Sequence, residues 1–186
     1  HQQTTISMNR KLLLLLVCCM ISVQAAFSQT LDKSNWLRKE GFVTILTDEN
    51  KGKVYLEISR LDSEFLYVNS MPAGIGSNDI GLDRGQLGRT RIVEFRKAGN
   101  KILLVHKNYD FRAYSDNPAE VKSVKDAFAE SVLWGFDILE QAGGKYIVDG
   151  TTFYLQDAHM VGERLGGARQ GTYRPDPSRS AIHYPM

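Results

Sequence analysis

The chain has 186 residues, 23 Lys and Arg against 21 Asp and Glu for a formal charge of +2, and only two cysteines. A balance this close to neutral argues against a polyanion-binding surface as the main feature, and no nucleic-acid partner is expected. Cys18 and Cys19 are neighbours in one apolar run and cannot supply a disulfide framework.

In chain order, residues 1–7 precede the first methionine and are set apart as upstream sequence. Residues 8–28 then have the order of a cleavable signal peptide. Arg10 and Lys11 give a positive start, residues 12–23 are almost wholly apolar, and Ala26 and Ser28 put small side chains where a signal peptidase needs them. The run stops at Gln24, short of the about 20 apolar residues of a membrane span, so no transmembrane span is expected after cleavage. Cleavage removes both cysteines and lowers the basic count from 23 to 21, level with the 21 acids. The expected product is an exported, thiol-free, neutral segment that is periplasmic, outer-membrane-associated or extracellular. Lipidation at Cys18 or Cys19 is the alternative; it is disfavoured because Val17 or Cys18 precedes the acceptor, where a small side chain is needed.

Residues 29–40, polar apart from Leu31, Trp36 and Leu37, read as a linker. Residues 41–186 read as one β-rich domain, long enough to bury roughly 70 % of its unfolded surface. Runs 42–46 and 53–58 are β-branched and aromatic, with turn residues between them, which is a hairpin signal. Run 64–70 adds a third strand, and the three are expected to form a meander. Residues 71–88 hold five glycines without a sustained period and are expected to form a long ordered loop. Strands are expected again over 90–96 and 101–114, turned by Lys97-Ala98-Gly99-Asn100. Asn117, Pro118 and Glu120 spell a helix start, with Val121, Val124 and Phe128 on one face and an end near Ser131. Runs 132–139 and 146–148 are strand-like around an Ala-Gly-Gly-Lys turn, 149–167 is ambiguous, and the remainder reads as irregular. The fold class expected is α+β and β-rich, with antiparallel hairpins or a meander of about seven strands and one helix.

Chemistry-bearing motifs are sparse. Gly74-Ile75-Gly76-Ser77-Asn78-Asp79 places Asp79 where a dinucleotide fingerprint needs a glycine, and no Walker lysine follows. The loop is read instead as a contact surface made by Ser77, Asn78, Asp79, Asp83, Arg84 and Gln86, with Asp83 and Arg84 as a local ion pair. His106, His159 and His183 have no ligand spacing; Asp157 with His159 is the nearest approach to a metal site, and neither H-E-x-x-H nor G-x-S-x-G occurs. Trp134 and Phe136, two apart on a strand, are either core residues or a sugar-stacking platform. Arg164, Arg169, Arg174 and Arg179 read as a solvated basic tail.

Several blocks together carry a resemblance: Gly76-Ser77-Asn78-Asp79-Ile80-Gly81-Leu82-Asp83-Arg84-Gly85-Gln86, then Arg91-Ile92-Val93-Glu94-Phe95, Ser131-Val132-Leu133-Trp134-Gly135-Phe136 and Arg179-Ser180-Ala181. In order and spacing they resemble the N-terminal region, a signal peptide plus a domain of unknown function, of bacterial zinc-dependent metalloproteases of the metzincin type, common in the Bacteroidetes. The resemblance implies a front end whose domain continues past residue 186, in a protein whose zinc and catalytic glutamate belong to a later H-E-x-x-H-x-x-G-x-x-H domain. No catalytic, cofactor-binding or metal-binding residue carries over to this segment. The implied role is a non-catalytic accessory domain. Its partner would be the C-terminal protease domain of the same polypeptide, with zinc held there and protein or peptide substrates cut there. The alternative expectation is a cell-envelope binding module for glycan.

Overall fold

Alternation of apolar and polar residues is the strongest local signal in the chain, and it builds the sheet. In a computed structural model that describes residues 31–76 and 78–183, strand β3 (Lys53–Ile58) turns Leu56 and Ile58 to one face and Tyr55 and Glu57 to the other. The segment 8–28 with Cys18 and Cys19, Ser77, and residues 184–186 lie outside the described residues.

Eight antiparallel strands form a curled, half-barrel sheet in the order β1-β2-β3-β8-β7-β6-β5-β4. Besides β3 these are β1 (Leu37–Lys39), β2 (Thr44–Asp48), β4 (Phe65–Tyr67), β5 (Arg91–Ala98), β6 (Lys101–His106), β7 (Ser131–Ala142) and β8 (Lys145–Asp149). Three short helices accompany them: α1 (Pro118–Ala127), α2 (Thr151–Tyr154) and α3 (Val161–Gly167). The β-rich class holds, and the differences in count have local causes. β1 lies in the stretch expected as a linker; its three residues are all exposed, so no alternation marks it, yet Leu37 pairs with Thr47 and Trp36 stacks on Tyr55 at 4.2 Å. The helices α2 and α3 span four and seven residues, too few for a 3.6-residue period to register. The expected helix is α1, where Asn117 accepts the Ala119 N–H at 3.0 Å, although it ends at Ala127, before Ser131.

The expected meander stops after β3. The central partner of β3 is β8, with Leu56 opposite Val148 and Ile58 opposite Tyr146, whereas β4 pairs with β5 at the far edge of the sheet. Asp62 redirects the chain between β3 and β4: it sits in the left-handed region at φ 52° and donates its N–H to the Phe95 carbonyl at 2.8 Å. Burial decides the order, because only a central position covers both Leu56 and Tyr55, which are 3 % and 8 % exposed.

The long strand β7 turns the sheet. Its first half pairs with β6 and its second with β8, and register shifts at Leu104/Val105 and between Ile138 and Glu140 bend it. The inner face carries a chain of rings: Phe42 to Phe65 at 5.0 Å, Phe65 to Phe95 at 5.1 Å, Phe95 to Phe136 at 6.4 Å and Phe136 to Phe153 at 5.4 Å. Phe153, on the single turn α2, also meets Trp134 at 5.7 Å and Tyr67 at 6.0 Å. Edge-to-face and tilted contacts of this kind add to area burial by about 0.5–1.5 kcal/mol each.

Ion pairs tie the outer face. Glu57 accepts two hydrogen bonds from Arg38 at 2.9 Å and one from Lys145 at 3.0 Å, joining β1, β3 and β8. Glu130 accepts from Arg96 at 2.9 Å and pairs with Lys107 at 2.7 Å, while the buried Glu94 contacts both cations. Arg38 first and Lys145 with it, against the opposing effect of burial, lower Glu57 from 4.5 to about 2. Arg96 and then Lys107 do the same for Glu130, to about 2.

Two expectations follow for stability. Phe153→Ala removes the ring that joins the cluster and, Phe153 being half-buried, should cost about 2–3 kcal/mol in urea unfolding, below the range for a fully buried aromatic. Because the folded pKa values of Glu57 and Glu130 are depressed, their stabilisation is full above pH 4.5 and is lost as the pH falls toward 2. Melting temperatures followed across that window should flatten in the double variant Glu57→Gln, Glu130→Gln; an unchanged slope would assign the acid sensitivity to other carboxylates.

Candidate functional site

Between β4 and β5 the chain leaves the sheet for residues 71–88 and returns beside its own departure point. The neck is zipped by backbone bonds: Gly88 N–H to Asn69 O at 2.7 Å, Met71 N–H to Gln86 O at 2.9 Å and Gly85 N–H to Met71 O at 2.7 Å, beside a Ser70–Leu87 bridge. Further out, Ile75 donates to Leu82 O at 3.3 Å and a 3₁₀ turn runs Asn78–Ile80. Leu82 is 0 % exposed and Met71 is buried, so the loop has an apolar anchor of its own, as compact Ω-type loops do. The glycines have separate reasons. Gly81 and Gly85 have φ of 69° and 83°, and a Cβ on Gly74 would stand 3.0 Å from Arg84 N and 3.1 Å from Leu82 O.

The expected contact residues divide into two groups. Asp79 and Arg84 are exposed, whereas Asp83 and Gln86 are half-buried and serve the loop itself. The Asp83 carbonyl accepts the Gln86 N–H at 3.2 Å, and the Gln86 side chain donates to Leu87 O at 3.4 Å. Asn78 opens the 3₁₀ turn, and Ser77 lies outside the described residues. No Asp83–Arg84 ion pair forms among the described residues; one residue is drawn inward and the next points out, and successive residues in a turn do not face each other.

Support from the far end of the chain was not legible. Arg164 on α3 donates Nη1 to Gly81 O at 2.8 Å and to Ile80 O at 3.4 Å, and Asn69 donates to Ala158 O at 3.0 Å. Arg164 is exposed as expected but lies on α3 and bonds to the loop, while Arg179, also exposed, pairs with Asp176 at 2.7 Å. The stretch between is positioned by Asp157, whose two carboxylate oxygens accept the Val161 and Gly162 N–H groups at 2.8 and 2.9 Å. From three residues before the N-cap position, Met160, Asp157 thus satisfies the first two N–H groups of α3. Clefts of about 190 Å³ and 280 Å³ flank it, the first beside Tyr67, Asn69 and Arg91, the second beside Leu155, Tyr173 and Arg174.

The three histidines stand apart. His106 lies on the inner face opposite Val93, where burial and then Arg89 and Arg91 push its pKa down; His183 is exposed; and His159 keeps a buried Nε2 with no hydrogen-bond partner among the described residues. Among the described residues no group of three or more His, Cys, Asp or Glu is placed to hold a metal ion. The sugar platform is overturned: Phe136 is 1 % exposed and Trp134 packs edge-on against Phe153, so both rings belong to the core. What the loop presents is a backbone-zipped frame with two exposed charges of opposite sign, Asp79 and Arg84.

Residues 85–185, more than half of the chain, match the family model described as Domain of unknown function (DUF5117). No curated protein and no solved structure matches the chain. The matched stretch begins inside the loop and includes Arg164, so it takes in β5 to β8, all three helices and the loop's outer support.

The loop's dependence on its anchor and its strut gives a direct test. Leu82→Ala should make residues 71–88 the first site cut in limited proteolysis and cost about 2–5 kcal/mol, whereas Arg164→Ala should speed cleavage there with less loss of global stability.

Proposed function

The chain belongs to the DUF5117 family, and on that premise we propose that it is the non-catalytic N-terminal accessory domain of an exported zinc-dependent metalloprotease of the metzincin type. The observation that carries the reading is the closed loop 71–88, which holds Asp79 and Arg84 outward on a zipped neck and a fully buried Leu82. A loop braced in this way suits the holding of a neighbouring surface in fixed register. The order and spacing of the loop block, the β5 block and the β7 block support the same reading through the resemblance they carry. The signal-like order of residues 8–28 supports export, and no helix among the described residues is long and apolar enough to cross a membrane.

In this role the partner is the C-terminal protease domain of the same polypeptide. Zinc and the cutting of proteins or peptides belong to that domain, and the accessory domain acts by packing, by shaping substrate approach or by assisting folding. The reading frame beyond residue 186 should therefore encode H-E-x-x-H-x-x-G-x-x-H. In the full polypeptide, the double variant Asp79→Ala, Arg84→Ala should change peptide hydrolysis or the melting temperature of the protease portion while circular dichroism of this domain stays constant. A reading frame without the histidine motif ends the proposal, and so does a full-length enzyme indifferent to the loop variant.

A further inference from the structure

The connection from β6 into α1 and the helix itself form a second surface with the opposite physical character to the loop. No residue of α1 is buried, although Val121, Val124 and Phe128 share one face. Phe111 covers part of that face by stacking on Phe128 at 4.0 Å and 6°, and Phe111, Val121 and Phe128 still remain 52 %, 41 % and 39 % exposed. Between the helix and residues 107–113 runs a groove of about 350 Å³. A ten-residue helix has little stability of its own in water, so an uncovered apolar face leaves α1 short of the packing that normally holds such helices.

The charges around the groove select the kind of occupant. Its one lining carboxylate, Glu130, is engaged by both Arg96 and Lys107. Among the described residues two lining cations have no carboxylate partner: Lys125, and Arg112, whose guanidinium lies 4.0 Å over the Tyr109 ring. Tyr109 in turn gives its hydroxyl to Glu64. The groove thus joins exposed apolar surface to two uncompensated positive charges.

We propose that this groove docks a protein segment in which one or two bulky apolar side chains are flanked by Asp or Glu. The apolar side chain fills the space beside Phe111, Val121 and Phe128, and the acids meet Lys125 and Arg112 at the rim. This goes beyond the accessory reading and does not depend on it.

The test pans a random peptide display library against the whole chain. Enriched peptides should carry Asp or Glu beside Leu, Phe or Trp. Phe128→Ser should weaken them roughly tenfold or more, as removal of an interface anchor does. Lys125→Glu, a change at an exposed position without an ion-pair partner among the described residues, should leave the fold intact and turn the selection toward Lys- and Arg-bearing peptides even if Phe128→Ser unfolds α1. The proposal is overturned by an absence of enrichment, by enriched peptides without acids, by binding indifferent to Lys125→Glu, or by self-association of the chain that Phe128→Ser abolishes, which would make a second copy the occupant.

Discussion

A sheet that curls must fill its inner face, and here one phenyl ring delivered by a single helical turn completes the filling. The delivery is fixed by hydrogen bonds at the end of β8. Gly150 donates its N–H to the Val54 carbonyl at 2.9 Å, and the Thr151 hydroxyl both accepts from Val54 N–H at 3.1 Å and lies 3.3 Å from its carbonyl. Asp149 caps the turn through Thr151 N–H at 2.8 Å and binds Lys53 at 3.0 Å. The packing around Gly150 is close enough that a Cβ there would stand 3.3 Å from the Leu56 side chain and 3.5 Å from the Val54 carbonyl. Phe153 is then aimed between Trp134, Phe136 and Tyr67, rings from β7 and the far-edge strand β4. The middle of the sheet and its β4 edge are thereby coupled through one side chain. Residues 155–167 follow at once, so the same turn sets where α3 and Arg164 stand beneath the loop.

How much of this was legible follows from where burial produces a period. β3 was readable to the residue because it is rich in β-branched and aromatic residues between clear turn signals, and the start of α1 was readable because Asn117, Pro118 and Glu120 are specific to a helix terminus. β1 was not, since an edge strand of three exposed residues held by backbone bonds and Arg38–Glu57 shows no apolar pattern. In β7 the register shifts at Leu104/Val105 and between Ile138 and Glu140 break the alternation that would have marked a twelve-residue strand. The position of β4 at the far edge was beyond any local rule. It depends on which strands bury Leu56 and Phe95, and the chain between β3 and β4 reverses at Asp62, a residue whose left-handed φ is not signalled by its neighbours.

The candidate site was legible in place and illegible in construction. Five glycines marked 71–88 as a loop with special backbone needs, and those needs exist at Gly74, Gly81 and Gly85. Polar residues drew attention as contacts, but Asp83 and Gln86 are half-buried and linked to the loop through the Asp83 carbonyl and the Gln86 amide, and the decisive anchor was the apolar Leu82. Its support by Arg164 spans more than eighty positions in sequence, a separation at which nothing in a single chain distinguishes a strut from a solvated arginine. Trp134 and Phe136 teach the converse. Their spacing fitted a platform and a core equally well, and the inward neighbour that decides, Phe153, sat in the stretch with no readable period.

The two surfaces differ in how they could be used, because they differ in what holds them. The loop closes on itself through backbone bonds and a dry leucine, so a partner meeting Asp79 and Arg84 meets groups whose ordering cost was met on folding, and its contribution is register. The α1 groove is the reverse case, since its helix has a capped start, a stacked Phe111–Phe128 pair and little else. A segment entering there covers apolar area that folding left uncovered and steadies α1 in doing so, so affinity and local order rise together. Charge separates them as well. Asp79 and Arg84 present both signs and favour a partner with a matching pair, whereas Lys125 and Arg112 present one sign and exclude basic segments from a groove that apolar contact alone would leave indiscriminate.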